Sequence, residues 1–206
     1  MGMKILVILI SYLFGSVPWA LIIGKSIYHR DIRKEGSGNL GATNAGRVLG
    51  KPAGIAVTVL DALKAFLSMY IAGRLAPGTE VIAGLACCLG HCFPLFAGFR
   101  GGKAVATSYG FFLGISTLVT GHVFWQFLFE VLCFFAVLYL CRMVSAASII
   151  STGIAVPVSF VLGNDIRITL ALLFLWLLVT WRHRANIQRI YKGTESRIKW
   201  MGEYKH

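Results

Sequence analysis

The chain has 206 residues, of which 57% are hydrophobic and 14% charged, with a mean hydropathy of +0.74 and a formal charge of +12. A water-soluble domain of this length cannot face water with so few charges on so much apolar surface, so a soluble enzyme or binding module is excluded. The excess of positive charge would suit nucleic acid, and its distribution along the chain excludes that partner, as shown below.

Apolar stretches of about 18 or more residues with few charges read as membrane-spanning helices, since about 20 helical residues cross the hydrocarbon core. In chain order they run from Ile5 to Ile23, Ala53 to Ile71, Val81 to Phe99, Ala104 to Thr120, Val123 to Leu140, Val144 to Leu162 and Ile168 to Trp181. None alternates in polarity as the strands of a barrel do. The expected fold is therefore an all-α polytopic membrane protein with seven transmembrane helices, forming a single domain over residues 1–206. Lys4 and the apolar run after it could open a signal peptide. That run is long enough to span, and no A-x-A cleavage site follows it, so it is read as the first helix.

With seven spans, sixteen of the twenty Lys and Arg residues fall on one side: Lys25 to Lys51, Arg100 and Lys103, Arg142, and the tail from Arg182 to Lys205. Lys4, Arg74 and Arg167 fall on the other, and Lys64 lies within a span. Cytoplasmic loops carry the positive excess, which puts the N-terminus outside and the C-terminal tail in the cytoplasm. Topology accounts for the basicity without nucleic acid. The five cysteines all lie in apolar runs, where free Cys behaves as a small hydrophobe. Cys88, His91 and Cys92 lack a second pair of ligands at zinc spacing, so no metal is expected.

Between the first two spans lies a long polar connection containing Ser37-Gly38-Asn39-Leu40-Gly41-Ala42-Thr43-Asn44-Ala45-Gly46-Arg47. Glycines, small hydroxyls and amides ahead of an Arg suit a backbone-lined anion cradle, the alternative being a flexible surface loop. In the second span, Asp61 and Lys64 are three residues apart, on one face. Charges at bilayer depth cost about 2.5–3.5 kcal/mol each, so both are expected to face the protein interior, as a structural pair or as support for a site. Pro94 should kink the end of the third span, and His91 is read as a packing or a catalytic histidine.

Arg100-Gly101-Gly102-Lys103 then joins two apolar runs. A glycine pair between permanent cations, at the start of a helix, suits a phosphate, although such charges also occur in ordinary cytoplasmic loops. A turn is expected near Gly121-His122, and Pro157 interrupts the sixth span. The tail from Trp181 to Arg189 reads as a helical continuation that presents His183 and Asn186 on one face, followed by Gly193-Thr194-Glu195. Basic juxtamembrane helices commonly meet anionic lipid headgroups, which explains the arginines but not an imidazole and an amide together. Under this topology all three polar stretches face the cytoplasm and can converge on one site for a phosphorylated, lipid-related substrate.

These residues resemble the bacterial acyl-phosphate:glycerol-3-phosphate acyltransferases, the PlsY-type family. SGNLGATNAGR is similar to the first motif of that family, GHCFPLFAGFRGGKAVAT to the second and HRANIQRIYKGTE to the third, and Asp61 and Lys64 match its D-x-x-K. Ala65 and Ala104 depart from it, standing where the family usually has glycine after each lysine. The other glycerolipid acyltransferase signature, a His with an Asp five positions later, is absent.

The resemblance implies transfer of a fatty acyl chain from acyl phosphate to the sn-1 hydroxyl of glycerol 3-phosphate, giving lysophosphatidic acid and phosphate at the cytoplasmic face of the bacterial inner membrane. It implies Ser37, Gly38, Asn39, Gly41, Thr43 and Asn44 as the acyl-phosphate cradle. Arg47, Lys103, His183 and Asn186 would hold glycerol 3-phosphate, the first three as catalytic residues; Arg100, Gly101 and Gly102 would bind substrate, and Glu195 would orient the tail. His183 is the expected base unless a substrate phosphate takes the proton. No cofactor is expected, the partners are the two substrates and membrane lipids, and the protein is expected to be monomeric. Competing classes are a transporter of phosphate or a small organophosphate and a lipid-binding scaffold. A transporter should show internal repeats and charges at mid-membrane depth in several spans.

Overall fold

The computed structural model describes residues 1–198, and every regular element among them is a helix. Lys199 and Lys205 of the basic tail lie outside the described residues. The chain forms two compact units, Met1–Gly121 and a second that begins at His122.

The first unit contains α1 (Gly2–Gly15), α2 (Trp19–Ser26), α3 (Ala42–Leu49), α4 (Lys51–Leu75), α5 (Glu80–Cys92) and α6 (Val105–Gly114), which continues as a π-helical turn, Ile115–Thr120. Pro18 has no N–H to give a continuing helix, and α1 and α2 meet there at 43°. The long helix α4 packs against α1, α2, α3, α5 and α6. Its polarity is inverted relative to a soluble helix. Ile55, Val59, Leu63, Leu67 and Ile71 form an exposed stripe at four-residue spacing, while Asp61, Lys64 and Ser68 are buried. Such an outward face suits lipid.

Close approach between helices relies on glycine. A Cβ at Gly110 would overlap the Ala62 carbonyl of α4, one at Gly15 would overlap the Cys87 backbone, and one at Gly90 would overlap the Tyr12 carbonyl. Lipid offers no hydrophobic drive to bring helices together, so contact between small residues supplies the packing.

The second unit contains a π-helical turn (Phe124–Leu128), α7 (Phe129–Cys141), α8 (Val144–Val161), α9 (Ile166–Arg182) and α10 (Arg184–Tyr191). The indole of Trp176 on α9 donates to the Ile149 carbonyl of α8 at 3.1 Å and lies over Gly153. At the α8–α9 turn, the Ser159 hydroxyl meets Thr169 at 2.9 Å and accepts from Asn164 at 3.0 Å.

Among the described residues, four helical segments are long and apolar enough to cross a membrane: Lys51–Leu75, Glu80–Ala97, Phe124–Cys141 and Val144–Val161. Counting the bent pairs Gly2–Gly15 with Trp19–Ser26 and Ile166–Arg182 with Arg184–Tyr191 as single spans raises the number to six. The fourth stretch read from sequence corresponds to the shorter apolar helix Val105–Thr120.

Several local expectations are corrected. Pro94 does not kink a continuing helix: α5 has already ended at Cys92, and a 3-10 turn, Leu95–Ala97, follows. Pro157 does not interrupt α8, which runs through it to Val161. The tail does continue as a helix, α10, turned by 60° from α9. Half of the polar stretch read as a cradle, from Ala42 onward, is helix.

Ala104, the N-cap of α6, has a φ of +58°. A left-handed conformation costs a residue bearing Cβ about 1–2 kcal/mol, and the extra freedom of glycine in the unfolded chain returns about 0.4–1 of it. Ala104→Gly is therefore expected to stabilise the protein by about 0.5–1 kcal/mol, raising the melting temperature of the purified protein in detergent by a few degrees. An unchanged or lower melting temperature would contradict this account of the cap.

Candidate active site

In the first unit the chain between α2 and α3 is held by polar contacts. Arg30 pairs with Glu35 and donates to the Val48 carbonyl at 2.7 Å. Arg33 pairs with Asp31 at 2.6 Å, and the hydrogen bond from its guanidinium holds the Asp31 carboxyl well below the usual carboxylate range. Glu35 to Gly38 form a turn closed by the Gly38 N–H on the Glu35 carbonyl at 3.0 Å, with Gly36 and Gly38 both left-handed. That turn requires glycine, since a Cβ at Gly36 would strike the Asn44 side chain.

Asn44 is the keystone of this loop. It is 2% exposed; its side-chain oxygen accepts from the Ser37 N–H at 2.8 Å, and its amide donates to the carbonyls of Ile32 at 3.1 Å and Glu35 at 3.2 Å. Asn44, expected as part of the acyl-phosphate cradle, spends these polar atoms on shaping the backbone of the loop. Ser37, Thr43 and Arg47 are exposed beside it, and Gly38, Asn39 and Gly41 are half-buried. Thr43 and Arg47 are four residues apart on α3, which places them on one face. Close contact between Gly46 and Gly54 seats α3 on α4.

The second motif forms an irregular joint between α5 and α6. Gly98 and Phe99 are left-handed before it and Ala104 after it, so a reversed backbone frames Arg100 to Lys103 on both sides. The Gly102 N–H donates to the His91 carbonyl at 3.1 Å. A Cβ at Gly101 would overlap the His91 carbonyl and Pro94, and one at Gly102 would overlap the His91 ring. Both glycines are therefore pressed onto the end of α5. Arg100 is exposed and Lys103 half-buried.

In the second unit His183 sits in the bend between α9 and α10 and is 3% exposed. Its Nδ1 lies 2.8 Å from the Val179 carbonyl, a partner that can only accept, so the neutral ring carries its proton on Nδ1 and Nε2 is its basic atom. Asn186, one turn on, donates to Glu195 Oε1 at 2.6 Å. Ser145 at the start of α8 donates to the same oxygen at 2.7 Å, and Arg189 donates to Oε2 at 2.7 Å. The Ile198 N–H donates to the Arg142 carbonyl at 2.8 Å, so the tail folds back onto the α7–α8 turn. Ser145 and Arg189 were not identified from the sequence. Ser145 lies fifty residues before Glu195, and no spacing rule links them.

Cys88, His91 and Cys92 do not gather with a further ligand: among the described residues no group of three His, Cys, Asp or Glu side chains could hold a metal ion.

Residues 5–193 match the family model described as glycerol-3-phosphate acyltransferase. The chain belongs to this family. It is 41% identical to the glycerol-3-phosphate acyltransferase of Staphylococcus haemolyticus, across 97% of this chain and 100% of the relative, and 44% identical to that of Geobacillus kaustophilus, across 98% and 99%. Among solved structures it resembles PlsY, an integral membrane glycerol 3-phosphate acyltransferase. The TM-score is 0.86 for the glycerol 3-phosphate form, with 36% identity and 96% of each chain covered. For the lysophosphatidic acid form it is 0.84, with 35% identity. The family match runs from residue 5 to residue 193 and so takes in both glycine-rich segments and His183 with Asn186.

Two outcomes follow from the geometry. Asn44→Ala removes the three hydrogen bonds that tie the Ser37 N–H and the carbonyls of Ile32 and Glu35 to α3, a loss of about 2 kcal/mol. It should lower the melting temperature and open the 30–41 segment to proteases, and wild-type resistance on both counts would refute the keystone role. For Glu195, burial acts to raise the carboxyl pKa, but hydrogen bonds from Asn186, Ser145 and Arg189 outweigh it, and the net value lies below 4.5. Its contribution to stability is therefore fully present above pH 4.5 and is lost as the pH falls through the lowered value. Acid titration of tail proteolysis should show this loss in the wild type and not in Glu195→Gln; identical profiles would count against it.

Proposed function

We propose that this protein transfers a fatty acyl group from acyl phosphate to the sn-1 hydroxyl of glycerol 3-phosphate, releasing lysophosphatidic acid and phosphate. The observation that carries this reading is the likeness, over 96% of both chains, to an acyltransferase solved with forms named for the acceptor, glycerol 3-phosphate, and the product, lysophosphatidic acid. The same names favour acyl transfer over carriage of phosphate across the membrane. Acyl phosphate as donor rests on the motif resemblance.

The chemistry suits the residues. An acyl phosphate is a mixed anhydride with a good leaving group, so no Ser or Cys nucleophile is needed. The glycerol hydroxyl oxygen bonds to the acyl carbon, the bond from that carbon to the phosphate oxygen breaks, and phosphate departs with the electron pair. The hydroxyl proton goes to His183 Nε2 or to a substrate phosphate. The protein supplies alignment and stabilisation of anionic charge.

Ser37, Gly38, Asn39, Gly41 and Thr43 are assigned to the acyl phosphate, with Asn44 shaping their loop. Arg47, Arg100, Gly101, Gly102, Lys103 and Asn186 are assigned to glycerol 3-phosphate, and Glu195 to the orientation of Asn186. The protein acts as a monomer in the bacterial inner membrane. Val105–Thr120 serves as the fourth of seven spans, the N-terminus lies outside, and the substrate-handling loops face the cytoplasm, in keeping with the distribution of Lys and Arg.

The deciding experiment offers purified protein acyl phosphate, acyl-CoA and acyl carrier protein in turn with glycerol 3-phosphate. Consumption of acyl phosphate alone is expected, and use of either thioester instead would overturn the donor assignment. Lys103→Ala should lose one or two charge-assisted hydrogen bonds of about 1.5–3 kcal/mol each, lowering kcat/KM for glycerol 3-phosphate at least tenfold. Near-normal turnover in the folded variant would remove Lys103 from the site.

A further inference from the structure

Behind the Arg100–Lys103 joint lies a buried ionic cluster with no direct part in the proposed chemistry. Asp61, Lys64 and His91 are 2%, 1% and 7% exposed. The Lys64 ammonium has three protons and meets three acceptors: Asp61 Oδ1 at 2.8 Å, His91 Nδ1 at 3.0 Å and the Val17 carbonyl at 3.3 Å. Asp61 Oδ1 also lies 3.4 Å from His91 Nδ1. An ammonium donates and cannot accept, so the contact makes Nδ1 the acceptor of a neutral ring and puts the ring proton on Nε2. That ring edge is the one pressed against Gly102, while the His91 carbonyl receives the Gly102 N–H at 3.1 Å.

We infer that Asp61, Lys64 and His91 form a positioning device that fixes the ring and backbone of His91 and, through them, the path of Gly101–Gly102 and the placement of Lys103. This rests on the functional reading above. Asp61 pairs with Lys64, Lys64 orients the imidazole, and the imidazole gives the glycine pair a surface to lie on. Glycine is required at both positions because the surface is so close. The lysine also draws in the α1–α2 break through the Val17 carbonyl, so one ammonium ties the joint to α1, α4 and α5. The three residues are positioning residues; none is assigned to substrate.

A kinetic cycle separates this role from general stability. His91→Ala is expected to raise KM for glycerol 3-phosphate at least fivefold with a smaller change in kcat. His91→Asn, whose side-chain oxygen can take the place of Nδ1 as acceptor for Lys64, should recover at least half of the loss. In a Lys103→Ala background His91→Ala should cost less than twofold more, because the side chain that it positions is gone. Independent, multiplicative losses in the double variant, or a loss confined to kcat, would overturn the inference. If His91→Ala does not fold, Lys64→Met is taken through the same cycle with the same expectation, and failure of both to fold would assign the cluster to folding alone and overturn the positioning role. A wild type that consumes no acyl phosphate would instead refute the functional reading.

Discussion

A lysine ammonium inside a membrane helix is tolerable only if each of its protons finds an acceptor, and that requirement shapes the first unit. Lys64 is 1% exposed and satisfied by a carboxylate, an imidazole and a carbonyl at the α1–α2 break. Removing any one partner leaves charge or polarity uncompensated in a setting of low dielectric, where the penalty is several kcal/mol. The break at Pro18, the end of α5 before Pro94 and the glycine joint are therefore linked parts of one arrangement. The surrounding glycine contacts let the helices come close enough for these short polar bonds.

The second unit solves a related problem with the opposite charge. Glu195 lies in a segment without regular structure, yet it accepts from Ser145, Asn186 and Arg189 and so binds the tail to α8 and α10. The bend at His183 turns α10 away from the direction of α9, and the Val179 carbonyl in the last turn of α9 sets the tautomer of the histidine. Helix breaks thus hold the Arg100–Lys103 joint in the first unit and His183 in the second. Unbroken α4 and α8 provide the frame.

Hydrophobic length and the scatter of Lys and Arg made the helical membrane class legible in the sequence, and motif resemblance supplied the family. Periodicity could not foresee α3, because Gly41-Ala42-Thr43-Asn44-Ala45-Gly46 is weak in helix formers and the helix is held by packing of Gly46 on Gly54. The prolines misled in both directions. Pro94 follows a helix that has already ended, and Pro157 is absorbed within one that continues. The Asp61–Lys64 pair was readable from its spacing of three, whereas His91 and Ser145 join their clusters from distant parts of the chain. Such partnerships depend on tertiary packing, and no local pattern encodes them. Asn44 shows the remaining limit: a polar residue in a glycine-rich motif can serve the backbone as readily as a ligand.

The tight seat of α1 on α5 has a consequence for thiol chemistry. With Gly15 against the Cys87 backbone and Gly90 against Tyr12, the side chains of Cys87, Cys88 and Cys92 are sealed from solvent. Attack on sulfur needs an accessible thiolate, so oxidants and alkylating reagents will meet Cys133 and Cys141 first, and the helical frame of the first unit is insulated from the redox state of its surroundings.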